Sequence, residues 1–275
     1  MQVADTQAWL QAYMVEKETL VSEGLNIQQA TLCQPLVSYF EHASPQDIQI
    51  HLIQHGMFHP DPTDRTVIDR IIDQDYWEQT RKQLQDLERI FGKQDGTIFI
   101  FPSDTTNPRL QTEFDGVAGL SYHDKLFLFI SDQITTLQLK ILLTHEYSHV
   151  CRLHKVSTSN LTLADGLILE GIAELAVKEI VGEAYCAPWV GLYNQVELKS
   201  IWEDWLQPNL TLPPTSWMHH ALMYGSDSIP KWAGYAYGFQ LVQEFQRQNQ
   251  VSLQNLVTMP TNDFIQFLHT AKNVH

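Results

Sequence analysis

The chain has 275 residues, 44% of them hydrophobic and 18% charged, a balance that lets it bury one large core or two smaller ones. Its formal net charge of -15 argues against nucleic acid or an anionic membrane surface as the main partner, because both repel an acidic protein at long range. Cys33, Cys151 and Cys186 are too few and too far apart for a disulfide framework or a Cys-type zinc site, and no stretch approaches the roughly 18 apolar residues of a membrane span. With no basic start and apolar run at the N-terminus, the expectation is a soluble chain in the reducing cytoplasm.

Residues 1 to about 92 read as a helical region, through "TQAWLQAYMVEKETL", "LVSYFEHA" and one longer helix, "TVIDRIIDQDYWEQTRKQLQDLERIFG", that stops at Gly92. The pattern then changes. "TIFIFP", "GVAGLSY" and "KLFLFIS" are short, aromatic or branched, and bounded by turn residues, which predicts strands, with His123 and Asp124 connecting the last two. Thr135 and Gln138 have the spacing of a capping box and predict a helix through "LQLKILLTHEYSHVCRLH". Thr162 and Asp165 repeat the pattern and open a second helix, "LADGLILEGIAELAVKEIV", that ends near Gly182. A proline- and tryptophan-rich segment with one helix around "VELKSIWEDWL" follows, and then the helical runs "WAGYAYGFQLVQEFQRQ" and "NDFIQFLHTAKN". The expected class is α+β: a helical region 1–92, and a domain 93–275, alone or in one compact unit with that region, whose small sheet packs on the "HEYSH" helix.

On a helix, residues four apart share a face, so His145 and His149 can direct two imidazoles at one metal ion. Glu146, one position round, can hold a water beside that ion without ligating it. A bare histidine pair also arises by accident, so the metal reading needs a third ligand, as a catalytic zinc takes three from the protein. The metzincin continuation fails, since Arg152 and Lys155 stand where its Gly and His belong, with His154 one residue out of register. Asp165 is already explained as a helix cap. Glu170 is the better candidate: it shares a face with Glu174 and apolar neighbours, where an acid is costly without a cation. Glu174 is placed to accept the outer N–H of a ligating histidine, or else to form a surface ion pair.

"THEYSHVCRLHK", followed by "LADGLILEGIAELA", resembles the gluzincin pattern HExxH...EGxAE. With "GVAGLSY" before it and "WAGYAYGFQLV" after it, the chain is similar to the YjaZ-like family of predicted bacterial zinc-dependent proteases over about residues 96 to 248. The resemblance implies a thermolysin-like or aminopeptidase-like core that binds Zn2+ with Glu170 as third ligand and hydrolyses peptides or unfolded protein segments, with Glu146 as general base. It also implies Tyr235, in "GYAYG", as the group stabilising the oxyanion, although Tyr235 equally has core spacing with Phe239, Val242 and Phe245. Tyr237, His219 and His220 are the runners-up.

"GVAGLSY" can be the edge strand that pairs with an extended peptide, with Gly116 and Gly119 admitting a close approach, or an ordinary hairpin strand. His51, His55 and His59 recur every four residues, but they have no adjacent Glu, and Gly56 and Pro60 weaken the helix, so a solvated or partly packed histidine row is favoured over adventitious metal binding. Two rivals to an enzyme remain: a zinc-binding protein without efficient turnover, and a helical protein without metal.

Overall fold

The computed structural model describes residues 1–19, 23–156 and 159–271. Strands β1 (Gln2–Val3), β2 (Thr97–Pro102), β3 (Ala118–Ser121) and β4 (Lys125–Ile130) form one sheet in the order β1-β2-β4-β3. β1, β2 and β4 run parallel, and β3 lies antiparallel to β4 at the edge. Every residue of β2 and β4 is buried, as continuous apolar runs covered on both faces require, and Phe99 stacks on Phe127 with ring centroids 5.0 Å apart. His123 and Asp124 make the β3–β4 turn as expected, closed by Tyr122 N–H donating to Lys125 O at 2.8 Å. β1 is too short to carry a periodic signal and is not foreseen.

The helices are α1 (Thr6–Thr19), α2 (Gly24–Gln28), α3 (Pro45–Gln54), α4 (Asp64–Asp73), α5 (Tyr76–Phe91), α6 (Pro108–Glu113), α7 (Thr136–Leu153), α8 (Leu163–Ile180), α9 (Gln195–Ser200), α10 (Trp217–Tyr224), α11 (Ala233–Asn249), α12 (Leu253–Leu256) and α13 (Thr261–Ala271). The fold is therefore mixed α+β. The long helix expected before Gly92 is in fact two, α4 and α5. Asp75 breaks it with a left-handed backbone (φ 50°) while its Oδ1 accepts from Glu78 N–H, a local exchange that aspartate makes more readily than most residues. "LVSYFEHA" forms no α-helix; a 3-10 turn covers Gln34–Tyr39.

Two compact units divide the chain: 1–89 with 93–146, and 90–92 with 147–275. The division falls between Glu146 and Tyr147. In the first unit the N-terminal helices join the sheet. Thr6 Oγ1 donates to Ile100 O at 2.7 Å and accepts from Trp77 Nε1 at 2.8 Å, while Trp9 lies 6.0 Å from Phe99.

In the second unit α8 and α11 pack with almost nothing between their backbones. A Cβ on Gly171 would lie 2.3 Å from Gly238 O, and one on Gly238 would lie 2.2 Å from Leu167 O. These two glycines set the spacing of α8, which carries Glu170, from α11, which carries Tyr235. Gly171→Ala should therefore destabilise the protein by about 1–3 kcal/mol through overpacking, measured by urea unfolding, and a variant as stable as wild type would contradict this close approach.

Candidate metal centre

α7 begins at the reciprocal cap foreseen in the sequence, with Thr135 N–H donating to Gln138 Oε1 at 3.0 Å and Gln138 N–H donating to Thr135 Oγ1 at 3.1 Å. Leu139, Leu143, Tyr147 and Val150 bury its apolar stripe, and Tyr147 Oη donates to Gly92 O at 2.8 Å. α8 begins at the second foreseen cap, where Thr162 N–H and Oγ1 donate to Asp165 Oδ2 at 2.9 and 2.7 Å.

The other oxygen of Asp165 accepts from Thr261 Oγ1 at 2.6 Å, and Thr261 Oγ1 accepts from Arg152 Nη2 at 2.8 Å. Arg152, 1% exposed, also donates to Met259 O at 3.1 Å. Burial pulls its pKa down to about 10, against the raising influence of Asp165. Asp165 is thus occupied as a cap and as the end of a partly buried chain of hydrogen bonds tying α7 to the start of α8.

One ligand atom from each of His145, His149 and Glu170 lies within 4.8 Å of the others, the one such group of histidine, cysteine and acidic side chains among the described residues. His149 Nε2 stands 3.6 Å from Glu170 Oε2. Two donors bound to one tetrahedral zinc at ~2.0–2.1 Å stand roughly 3.4 Å apart, so the spacing fits, and two imidazoles with one carboxylate are donors that zinc accepts. His149 is 7% exposed, and His145 and Glu170 are half-buried, which leaves the group partly open to solvent.

Glu146 is 8% exposed, and its carboxylate lies across the edge strand β3. Ser121 Oγ stands 2.6 Å from Glu146 Oε2 and 3.0 Å from Glu146 O. A Cβ on Gly119 would lie 2.1 Å from Glu146 Cδ, so this glycine makes room for the carboxylate. Gly116 serves the backbone: its φ is 74° and its carbonyl accepts from Ser103 Oγ at 2.6 Å.

Glu174, 2% exposed, accepts from Ala187 N–H at 2.7 Å. Burial, with Glu174 beside it, pushes the neighbouring Cys186 thiol up to about 12. Tyr235 is buried in an aromatic cluster with Trp189, Trp232 and Tyr224, and its hydroxyl donates to Tyr224 Oη at 2.9 Å. Tyr237 stacks on Trp202 with centroids 4.8 Å apart, and its burial pushes the phenol pKa up. Burial, with His220 adjacent, lowers the pKa of His219, which packs beside Gly166. Of the histidine row, His51 bonds Tyr122 Oη and His55 Nδ1 bonds His51 O at 2.7 Å, so the row turns on itself and on the hairpin.

Residues 76–266 match the family model described as "Predicted Zn-dependent protease (DUF2268)". The chain belongs to this family. It is also 30% identical over 233 residues, covering 84% of this chain and 89% of the other, to "Uncharacterized protein YjaZ" of Bacillus subtilis (strain 168). No solved structure matches the chain. The family match includes β2–β4 and α5–α12, and so all three side chains of this group.

Reasoning from the sequence missed Ser121, Arg152, Thr261 and the roles of Gly119, Gly171 and Gly238. Gly119 and Ser121 alternate on one strand face, a signal that could have marked a close contact. Arg152 and Thr261 are 109 residues apart, and nothing local connects them.

Glu170→Ala should weaken zinc binding by more than about 100-fold, measured by competition with a chromophoric chelator, because only two protein ligands would remain. Unchanged affinity would remove Glu170 from the set. Zinc at 100 times its Kd should stabilise the wild type by about 2.7 kcal/mol, and no thermal shift on zinc addition would contradict a site formed by the folded chain.

Proposed function

We propose that this chain is a zinc-dependent metallopeptidase of gluzincin type, acting in the cytoplasm on peptides or unfolded protein segments. The observation that carries the reading is the convergence of His145, His149 and Glu170 with Glu146 adjacent in the chain, in a member of a family described as a predicted zinc-dependent protease. Zinc held by these three side chains supplies Lewis acidity that polarises a carbonyl and brings the pKa of water toward 7.

The chain's own residues do the rest. Glu146 takes the proton of the attacking water and delivers it to the leaving amine, so the carboxylate ends each cycle as it began. Glu174 orients a ligating imidazole, supported by its depth and by its fixed bond to Ala187. Tyr235 donates to the developing oxyanion, for which its hydroxyl must exchange Tyr224 for the substrate.

The substrate adds to β3 as a further strand. Because Tyr122 N–H bonds Lys125 O, alternation turns the backbone groups of Leu120 and Ala118 toward β4 and those of Gly119 and Ser121 toward the open edge. Pairing there binds peptides through their main chain, which suits a substrate class broader than one sequence.

Wild type and Glu146→Gln should bind zinc equally. Only the wild type should cleave a mixed peptide library followed by mass spectrometry, with at least about a 100-fold difference in rate. Equal cleavage would remove Glu146 as the base, and stoichiometric zinc without any cleavage would favour a zinc-binding protein that does not turn over.

A further inference from the structure

The carboxylate of Glu146 is held by the sheet. Ser121 and Gly119 are two apart on β3 and so face the same way, toward Glu146. Gly119 leaves room for the carboxylate, since a Cβ there would lie 2.1 Å from Cδ and 2.3 Å from Oε1. Ser121 Oγ lies 2.6 Å from Oε2, and its second neighbour is the carbonyl of the same residue, at 3.0 Å. Glutamate is among the side chains with most rotamer freedom to lose, and one that is 8% exposed has few solvent donors to orient it.

Resting on the peptidase reading, we infer that Ser121 is the positioning residue of the general base. Its hydroxyl donates to Oε2 and fixes the orientation of the carboxylate. The substrate pairs with the backbone of the same two residues. The strand that receives the peptide is therefore also the strand that aims the base, and the distance between scissile bond and carboxylate is set within one element. Ser121 touches no reacting atom in this arrangement; it acts through Glu146.

The test uses the full-length, zinc-loaded protein with Ser121→Ala and Ser121→Thr. Ser121→Ala should keep stoichiometric zinc and a KM within about twofold of wild type while kcat falls by about 10- to 100-fold, the loss expected for one hydrogen bond to a charged group. Ser121→Thr, which restores the hydroxyl, should recover kcat to within about threefold.

A second readout does not need turnover. The 13C resonance of the Glu146 side-chain carboxylate, assigned by its loss in Glu146→Gln, should move in Ser121→Ala at fixed pH and return in Ser121→Thr. Wild-type kcat in Ser121→Ala, or an unmoved resonance, would overturn the assignment. If the wild type cleaves no peptide, it is the peptidase reading that fails, and the resonance alone decides whether Ser121 holds Glu146.

Discussion

One ligand atom from each of His145, His149 and Glu170 lies within 4.8 Å of the others, close enough to hold one metal ion between them. Imidazole and carboxylate groups lose hydration when buried, so the group is costly unless its donors find a cation. α8 buries eleven of its eighteen residues, Glu174 among them, and contributes Glu170 at its more open side. The approach of α7 to α8 is held at one end by the partly buried chain from Arg152 through Thr261 to Asp165. On the other side of α8, Gly171 and Gly238 let α11 come close enough to bring its aromatic face alongside. Polar strut and glycine contact do different work: the first fixes where α8 starts, and the second fixes how near its neighbour lies.

Within the first unit, a sheet edge faces Glu146. β3 sits outside β4 with Gly119 and Ser121 turned to Glu146, so the residue beside His145 is tied to a strand while the histidines are tied to a helix. Because α7 is continuous, Glu146 and both histidines keep a fixed helical phase to one another. A shift of register in β3 by one residue would turn Gly119 and Ser121 away and bring Leu120 against the carboxylate.

Local chemistry was legible in the sequence where it was local. Both capping boxes, the three longer strands, the hairpin at His123 and Asp124, and the α7–α8 pair follow from spacing and turn residues alone. So did the two histidines with Glu170, because helical phase and burial cost both point to those positions. The break at Asp75 was hidden, since an aspartate in the left-handed region leaves the apolar period on either side undisturbed. α6 is not foreseen either, although Asn107 before Pro108 is a capping signal: its Oδ1 accepts from Arg109 and Leu110 N–H. The partners of Arg152 and Glu146 lay beyond reach for another reason. Contacts between residues 25 or 109 positions apart depend on tertiary packing, which no window of the sequence contains.

The most direct measurement is anomalous diffraction at the zinc edge from crystals of the zinc-loaded protein. One peak is expected, with a nitrogen of His145 and of His149 and an oxygen of Glu170 each about 2.0–2.2 Å away and a fourth position open to solvent. A peak elsewhere, or a fully occupied site that lacks any one of these three side chains, would contradict the metal centre described above.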